Sequence, residues 1–263
     1  MNDFTTRKVS LVLGSGGARG LAHIGVIKAL EEKGAIIDEV VGCSMGSVIG
    51  GFYAYGKLPV FEEWVCSLKK TDIIKYMDFT VPTSGLLKGV KIIEKMKELI
   101  PDTDISSLPI QFAATTTELI GEEDTAIRTG SLYEAIRASI GIPGIFTAIQ
   151  SKDKIFVDGG VVNPLPLNHV TRRPDNIVVA VNLSANPISS EIVNKKCLPE
   201  KQSSLTTLLQ SYSAMKHRLS KLTIDLYKPD YIVNISENIV GSWEYDKAEF
   251  LINKGKELTF DVL

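Results

Sequence analysis

The sequence predicts an α/β fold in three layers, in which helices cover both faces of a mostly parallel central sheet. The first observation is a repeated pattern: residues 9–13 and 36–43 have the length and apolar character of strands, and each leads through a glycine-containing turn into a helix-like segment. The second is the run at 177–181, which is continuously apolar and mostly β-branched. Because strands that alternate with helices usually pair in parallel, these observations favour an α/β/α sandwich.

Length and composition favour one domain that spans residues 1–263. The chain has 263 residues, of which 44% are hydrophobic and 23% are charged, and this is sufficient for a sizeable core. The motifs described below lie within residues 9–181, so we expect residues 182–263 to pack on that core. A net charge of −2 provides no excess of cations for binding phosphates, which argues against a nucleic-acid partner.

Cysteine usage and the N-terminus predict a cytoplasmic protein without a metal site. Cys43, Cys66 and Cys197 form no C-x-x-C pair and no ligand cluster with the three histidines. The N-terminus passes from polar residues directly into a strand, without the apolar core of a signal peptide. The longest uncharged run, residues 40–56, is shorter than the ~20 residues that a membrane-spanning helix needs. Peripheral contact with a membrane is left open.

The remaining elements follow from hydrophobic periodicity. Strands are predicted where short apolar or alternating runs are bounded by turn residues: 110–117, 124–128, 145–149, 154–157 and 231–235. The first two of these read as a hairpin-like insertion. Helices are predicted where apolar residues recur every three or four positions or where a capping box opens the segment: 21–33, parts of 57–100, 131–138 and 245–258.

One further helix is predicted from a single stripe of seven apolar residues: Leu205, Leu208, Leu209, Tyr212, Met215, Leu219 and Leu222. We expect this stripe to face the core, with contact to lipid as the alternative. Two loops are also predicted. Residues 79–89 are apolar and interrupted by Pro and Gly, which suits the mouth of a site, and residues 182–204 are polar and suit a mobile loop.

The motif Gly42-Cys43-Ser44-Met45-Gly46 has the pattern G-x-S-x-G. A strand must turn sharply into a helix here, and the two glycines remove side chains that would clash in so tight a turn. Ser44 would then lie at the tip of the turn, at the positive end of the following helix dipole, as a candidate nucleophile. The alternative is that the motif is only a small-residue helix start.

A glycine-rich loop, Gly14-Ser15-Gly16-Gly17-Ala18-Arg19-Gly20, follows the first strand. Its backbone can approach a ligand closely and direct N–H groups at negative charge. Phosphate binding is the competing interpretation, but a dinucleotide fingerprint fails because Arg19 stands where the third glycine belongs. A phosphate loop at residues 51–57 fails because Leu58 occupies the position of the magnesium-binding Ser or Thr.

Ester hydrolysis by a serine also needs a base, and the residues leave two options open. A Ser-His-Asp triad could use Ser44, Asp158 and His169, whereas His23 precedes the nucleophile and His217 lies among charged residues in a helix. Alternatively Asp158 could accept the serine proton directly, because partial burial raises the pKa of a carboxyl toward a useful value. The two glycines after Asp158 permit a turn that places its carboxylate beside another loop.

Taken together, SGGARG, GCSMG and DGGVVNPLP resemble the patatin-like phospholipase family, as does RASIGIPGIF at residues 137–146. The resemblance covers residues 9–181 and implies a patatin-like fold. It implies Ser44 as nucleophile and Asp158 as base of a catalytic dyad, within the motif glycines Gly42, Gly46, Gly159 and Gly160. It implies oxyanion donors in the glycine loop between Gly14 and Gly20: Gly16, Gly17 and Ala18, followed by the basic Arg19. Ser15 departs from the family's pattern, where a glycine is common.

The resemblance implies a serine hydrolase that cleaves a carboxylic ester of a phospholipid, lysophospholipid or similar lipid through an acyl-enzyme, with no cofactor and no metal. The expected partner is therefore a lipid or lysolipid substrate. Two alternatives remain open. One is a Ser-His-Asp esterase or thioesterase, and the other is a scaffold without catalysis that binds a regulatory partner or an acyl chain.

Overall fold

A computed structural model describes residues 7–76, 78, 87–185 and 204–263 of the chain. Within them, eight strands form one sheet: β1 (Lys8–Leu13), β2 (Ile36–Cys43), β3 (Gln111–Glu118), β4 (Glu123–Ile127), β5 (Ile149–Ser151), β6 (Lys154–Asp158), β7 (Asn176–Ala185) and β8 (Tyr231–Ser236). The strand order is β5-β6-β3-β2-β1-β7-β8, and β4 pairs with β3 beside this path. The predicted loops at 79–89 and 182–204 fall largely outside the described residues.

The centre of the sheet is parallel, and one edge is antiparallel. Strands β3, β2, β1, β7 and β8 pair in parallel, whereas β4 and β6 pair antiparallel with β3, and β5 with β6. The expected mostly parallel sheet is therefore confirmed. The predicted hairpin at 110–128 exists, but it is not an insertion, because β3 is itself a member of the parallel sheet.

The described helices are α1 (Ala22–Glu32), α2 (Met45–Ala54), α3 (Leu58–Ser67), α4 (Lys70–Lys75), α5 (Val90–Leu99), α6 (Leu132–Ser139), α7 (Ser204–Tyr227) and α8 (Ala248–Val262). Most of them cover one face of the sheet. Because side chains alternate along a strand, Val9, Leu11 and Leu13 of β1 all point to this face, where they join a core that includes residues of α1, α2, α3, α5, α6 and α8.

The opposite face is covered by residues 165–170 and by α7. Val12 of β1 joins Val41, Val178 and Leu165 in this second, smaller core, and Ile224 of α7 packs against it. The sheet is thus flanked by helices on both sides, as expected. No helix of the described residues is long and apolar enough to span a membrane.

The expectation that the apolar stripe of α7 faces the core is wrong for three of its five described side chains, whereas Tyr212 and Leu219 are half-buried. Leu208, Met215 and Leu222 are 60%, 55% and 50% exposed. The inward face of the helix instead carries Lys216 and Ser220, which are buried. The periodicity of the stripe identified the helix correctly, but it did not determine which face packs on the sheet.

Residues 248–262 are fixed to the first half of the chain by a close contact between α1 and α8. A Cβ on Gly25 would lie 1.8 Å from the carbonyl oxygen of Ile252, and one on Gly255 would lie 2.1 Å from the carbonyl oxygen of Ala22. Reciprocal glycines therefore let the two helix backbones touch. This contact supports the expectation that the C-terminal part packs on the motif-bearing core.

Replacing Gly25 with Ala should force the two helices apart. We expect Gly25→Ala to lower the free energy of unfolding by about 2–3 kcal/mol, the upper part of the range for overpacking a core, as measured by urea denaturation. Gly241→Ala is the control, because its added methyl would meet only the flexible side chain of Glu244 at 3.3 Å. Equal stability of the two variants would show that α1 and α8 are not in backbone contact.

Candidate active site

Ser44 lies in a strained turn between β2 and α2. Its φ of 55° and ψ of −122° fall in a region that non-glycine residues rarely adopt. A Cβ on Gly42 would lie 2.3 Å from the carbonyl oxygen of Gly46, and a Cβ on Gly46 would lie 2.1 Å from that of Leu13. The two glycines are therefore required for the turn, and Ser44 lies at the N-terminus of α2, where the helix dipole favours negative charge.

Hydrogen bonds to neighbouring elements hold this turn. The N–H of Ser44 donates to Oγ of Ser139 at 2.9 Å, and that hydroxyl donates to the carbonyl oxygen of Thr115 at 2.6 Å. The hydroxyl of Ser47 donates to the Ser44 carbonyl oxygen at 2.7 Å. Sequence reasoning did not single out Ser139, although it lies in RASIGIPGIF, because a contact across 95 positions leaves no local signal.

The sheet brings Asp158 close to the same turn. Asp158 ends β6, where it pairs with Thr116 of β3, and the preceding residue of β3, Thr115, pairs with Cys43 of β2. The Sγ atom of Cys43 lies 3.9 Å from Oδ1 of Asp158. Ser44 and Asp158, which are 114 positions apart, therefore lie at the ends of two strands, β2 and β6, that flank β3 in the sheet.

The Asp158 carboxylate is fully buried and only partly satisfied. Its Oδ1 accepts the N–H of Gly160 at 2.7 Å, whereas Oδ2 has no partner with hydrogen-bond geometry among the described residues. Burial raises the pKa of Asp158, and proximity to the Ser44 hydroxyl as a donor lowers it by less. The two groups are thus close enough to interact but are not aligned as a standard hydrogen bond. A carboxylate with a raised pKa beside a serine has the properties of a general base.

Burial also raises the pKa of Cys43, which lies beside Asp158. It raises the pKa of this thiol well above its ordinary value, and the neighbouring Asp158 carboxylate raises it further. The thiolate form is therefore disfavoured, and Cys43 is not a competing nucleophile.

The glycine loop contains both free and occupied N–H groups. The N–H of Ala18 donates to the carbonyl oxygen of Ser242 at 3.0 Å, so this expected oxyanion donor is occupied in the present arrangement. The N–H groups of Gly16 and Gly17 make no backbone hydrogen bond to any described residue. Gly17 has a φ of 58°, and a Cβ there would lie 2.8 Å from the Ser242 carbonyl oxygen. The oxyanion role of Gly16 and Gly17 stays a prediction.

Close backbone contacts join the glycine loop to the segment after Asp158. The N–H of Ser15 donates to the carbonyl oxygen of Pro164 at 2.9 Å. The other motif glycines occupy places where a Cβ would lie within 3 Å of another atom: Gly14, Gly20, Gly159 and Gly160. The three sequence motifs therefore form one contiguous structure.

Arg19 is directed toward the C-terminal part of the chain. Its Nη1 donates to the carbonyl oxygen of Glu237 at 3.0 Å, and burial lowers the pKa of the guanidinium. The side chain thus anchors the loop after β8. This contact gives Arg19 a structural role beside the oxyanion loop.

None of the three histidines makes a hydrogen bond to Ser44 or Asp158 within the described part of the chain. His169 Nε2 lies 2.9 Å from Oδ2 of Asp124, without the geometry of a hydrogen bond. His23 Nε2 lies 2.9 Å from the Gly14 carbonyl oxygen, and burial lowers its pKa to about 4. His217 Nδ1 lies 2.6 Å from a backbone carbonyl oxygen, that of Ser184. These contacts disfavour the triad alternative.

A cavity of about 700 Å³ opens at Ser44 and the glycine loop. This volume is typical of small-molecule sites. One part of its wall is apolar and comes from α3, α4, α5 and residues 140–146. The apolar side chains there include Phe61, Trp64, Ile73, Ile92, Met96 and Ile142. Most of the polar lining comes from the glycine loop, α7 and residues 237–245.

A family model described as patatin-like phospholipase matches residues 11–171, which is more than half of the chain. The chain belongs to the patatin-like phospholipase family. Membership of this family supports lipid ester hydrolysis as the general class of reaction. The match contains Ser44, Asp158 and the glycine loop, and it ends before β7, α7, β8 and α8.

Similar proteins extend the comparison. This patatin-like chain is 38% identical over 179 residues to an uncharacterized NTE family protein of Mycobacterium tuberculosis, covering 68% of this chain and 50% of that protein. It is 34% identical over 185 residues to lysophospholipase NTE1 of Kluyveromyces lactis, covering 67% of this chain and 13% of that protein. The chain thus spans half or less of the length of these curated relatives.

Among solved structures, VipD from Legionella pneumophila matches with a TM-score of 0.53 at 14% identity. The match covers 97% of the patatin-like chain described here and 66% of VipD. At this level of identity it shows the fold alone.

The burial of Asp158 predicts a cost in stability. Its pKa is higher in the folded state than the ~3.9 of an unfolded Asp, so the folded protein holds its proton to higher pH and stability falls as pH rises through that window. Asp158→Asn should therefore raise the melting temperature at neutral pH, and the gain should shrink toward pH 4. A gain in melting temperature that did not shrink toward pH 4, or a loss at neutral pH, would contradict the raised pKa.

Proposed function

We propose that this chain is a serine acyl hydrolase that cleaves a carboxylic ester of a phospholipid or lysophospholipid through a Ser44–Asp158 dyad. The observation that carries the proposal is the proximity of a strained serine turn to a buried carboxylate, one oxygen of which has no hydrogen-bond partner among the described residues. The family match and the lysophospholipase named among the relatives support a lipid substrate.

In the acylation step, Oγ of Ser44 attacks the ester carbonyl carbon while Asp158 accepts the hydroxyl proton. The negative charge that develops on the carbonyl oxygen is stabilised by N–H groups of Gly16 and Gly17 and by the N-terminus of α2. The tetrahedral intermediate then collapses, the ester C–O bond breaks, and the leaving alcohol takes the proton from Asp158. The acyl chain remains on Ser44.

In the deacylation step, Asp158 accepts a proton from a water that attacks the acyl-enzyme carbonyl carbon. The second tetrahedral intermediate releases the fatty acid, and the proton returns to Oγ of Ser44. The apolar part of the cavity wall supports this sequence, because it offers an acyl chain a surface from which water is excluded.

The alternative of a scaffold without catalysis is disfavoured because the Ser44 turn and the buried Asp158 carboxylate both lower the stability of the fold. A non-glycine residue with positive φ costs of order 1–3 kcal/mol of folding free energy, and a buried carboxylate with an oxygen that no described residue hydrogen-bonds adds to that cost. A pure binding module has no need of either feature.

Labelling with a fluorophosphonate probe tests the nucleophile. The wild-type protein should be labelled at Ser44, and Ser44→Ala should lose both labelling and hydrolysis of p-nitrophenyl butyrate while melting at a similar temperature. The matched control is Ser213→Ala, which removes a serine from the same cavity whose hydroxyl is bound to Glu237. Labelling that persists in Ser44→Ala would make the assignment wrong, and a wild type that hydrolyses no ester would favour the scaffold.

Replacement of the candidate bases separates the dyad from the triad. Asp158→Asn should lower kcat by about 10²–10⁴, the usual contribution of a general base. His23→Asn, His169→Asn and His217→Asn should each cost little, because these side chains contact backbone or Asp124. If a folded His169→Asn variant lost as much kcat as Asp158→Asn, the direct role of Asp158 would be refuted.

A further inference from the structure

Two polar groups on α7 line the cavity and have no part in the chemistry proposed above. Lys216 and Tyr212 lie one helical turn apart, and both belong to the cavity wall. Lys216 is only 9% exposed, and the Tyr212 hydroxyl is buried without a hydrogen-bond partner among the described residues. The Nζ atom of Lys216 lies 5.1 Å from the centroid of the Tyr212 ring.

The Lys216 ammonium has no anion that neutralises it at contact distance. No carboxylate of the described residues lies within ion-pair distance, and none of their oxygens accepts a hydrogen bond from it. Burial lowers the pKa of Lys216, the Asp158 carboxylate partly restores it, and Arg19 lowers it further. A buried and unpaired cation is costly, so a ligand that brings an anion would be favoured here.

The other charged groups near Lys216 are already engaged. Arg19 donates to the Glu237 carbonyl oxygen, and the Glu237 carboxylate accepts the hydroxyl of Ser213 at 2.7 Å. The Asp158 carboxylate accepts the N–H of Gly160. Among these groups, Lys216 is the cation that remains available to a ligand in the cavity.

The distribution of cavity residues indicates where the anion would come from. Helices α3, α4 and α5 contribute mainly apolar side chains, whereas α7 and residues 237–245 contribute Gln210, Ser213, Lys216 and Asn238. When an ester carbonyl lies at Ser44, the acyl chain fits the apolar wall. The alcohol part of the ester is then left to the wall that contains Lys216.

We propose that the Lys216 ammonium and the Tyr212 hydroxyl form an anion subsite that binds the phosphate of a lysophospholipid headgroup. The inference rests on the proposed function and adds a determinant of substrate specificity to it. The ammonium supplies the charge, and the phenol supplies a second hydrogen-bond donor one turn away. Both groups act on ester binding and positioning, not on the acyl transfer itself.

The first experiment compares two substrates that share one acyl chain, a lysophosphatidylcholine and a monoacylglycerol. For Lys216→Met, the ratio of kcat/KM for the phosphate-bearing substrate to that for the monoacylglycerol should fall about 10- to 100-fold, as expected for the loss of one charge-assisted contact. Lys216→Arg should keep this ratio close to the wild-type value. Tyr212→Phe should lower the ratio by a smaller factor than Lys216→Met does. Lys221→Met, on the exposed face of α7, is the matched control.

Equal loss of kcat/KM on both substrates, together with a shifted acid limb of the pH profile, would overturn the proposal. That result would mean that Lys216 acts on the ionisation of Asp158 and not on the headgroup. An unchanged ratio in Lys216→Met and Tyr212→Phe would overturn it as well.

The second experiment measures binding without turnover and is therefore independent of the proposed reaction. Ser44→Ala should bind the lysophosphatidylcholine more tightly than the monoacylglycerol, and adding Lys216→Met should remove that difference. If inorganic phosphate alone bound to Ser44→Ala as tightly as the lysophosphatidylcholine does, and lost that binding in Lys216→Met, the assignment to a lipid headgroup would be wrong. A wild type without activity on any ester would refute the proposed function, while this binding result would still decide the subsite.

Discussion

The approach of β1 to the first turn of α2 constrains the geometry of the whole site. The carbonyl oxygen of Leu13 comes so near Gly46 that no side chain would fit there, and Gly42 meets the same turn from the other side. Ser44 lies between them with a positive φ, fixed by Ser139 of α6. Because the contact joins β1, β2 and α2, and Ser139 ties them to β3, the strained turn is supported by the centre of the parallel sheet.

The local features of this fold could be predicted from the sequence because each has a local cause. The apolar run of β1 and the glycines at 42 and 46 specify strand, turn and helix within a few residues of each other. Asp158 was identified for a similar reason, since a strand ending in Asp-Gly-Gly reads as a strand followed by a tight turn. That Asp158 would lie close to Ser44 could not be derived from local residues, because the pairing of β6 with β3 and of β3 with β2 is a long-range property.

The features that could not be predicted depend on contacts between elements that are distant in the sequence. The apolar stripe of α7 predicted a helix but identified its buried face only in part, because Leu208 and Met215 are exposed and Lys216 is buried. A lysine in a charged stretch normally indicates solvent, so nothing local distinguishes this one. In the same way, the occupied N–H of Ala18 follows from the position of Ser242, which is 224 residues further along the chain.

Several of these long-range contacts come from residues that follow the part of the chain matched by the family model. The residues that match the family model contain the serine, the aspartate and the glycine loop, and the match ends at residue 171. The contacts that complete the surroundings of the glycine loop come from beyond it: the carbonyl oxygens of Glu237 and Ser242, and the cavity wall of α7. The candidate dyad and the α7 part of the cavity wall are therefore encoded in separate parts of the chain. We therefore expect substitutions in α7 to alter which ligands the cavity accepts while the strained turn at Ser44, which is held by β1, β3 and α6, remains intact.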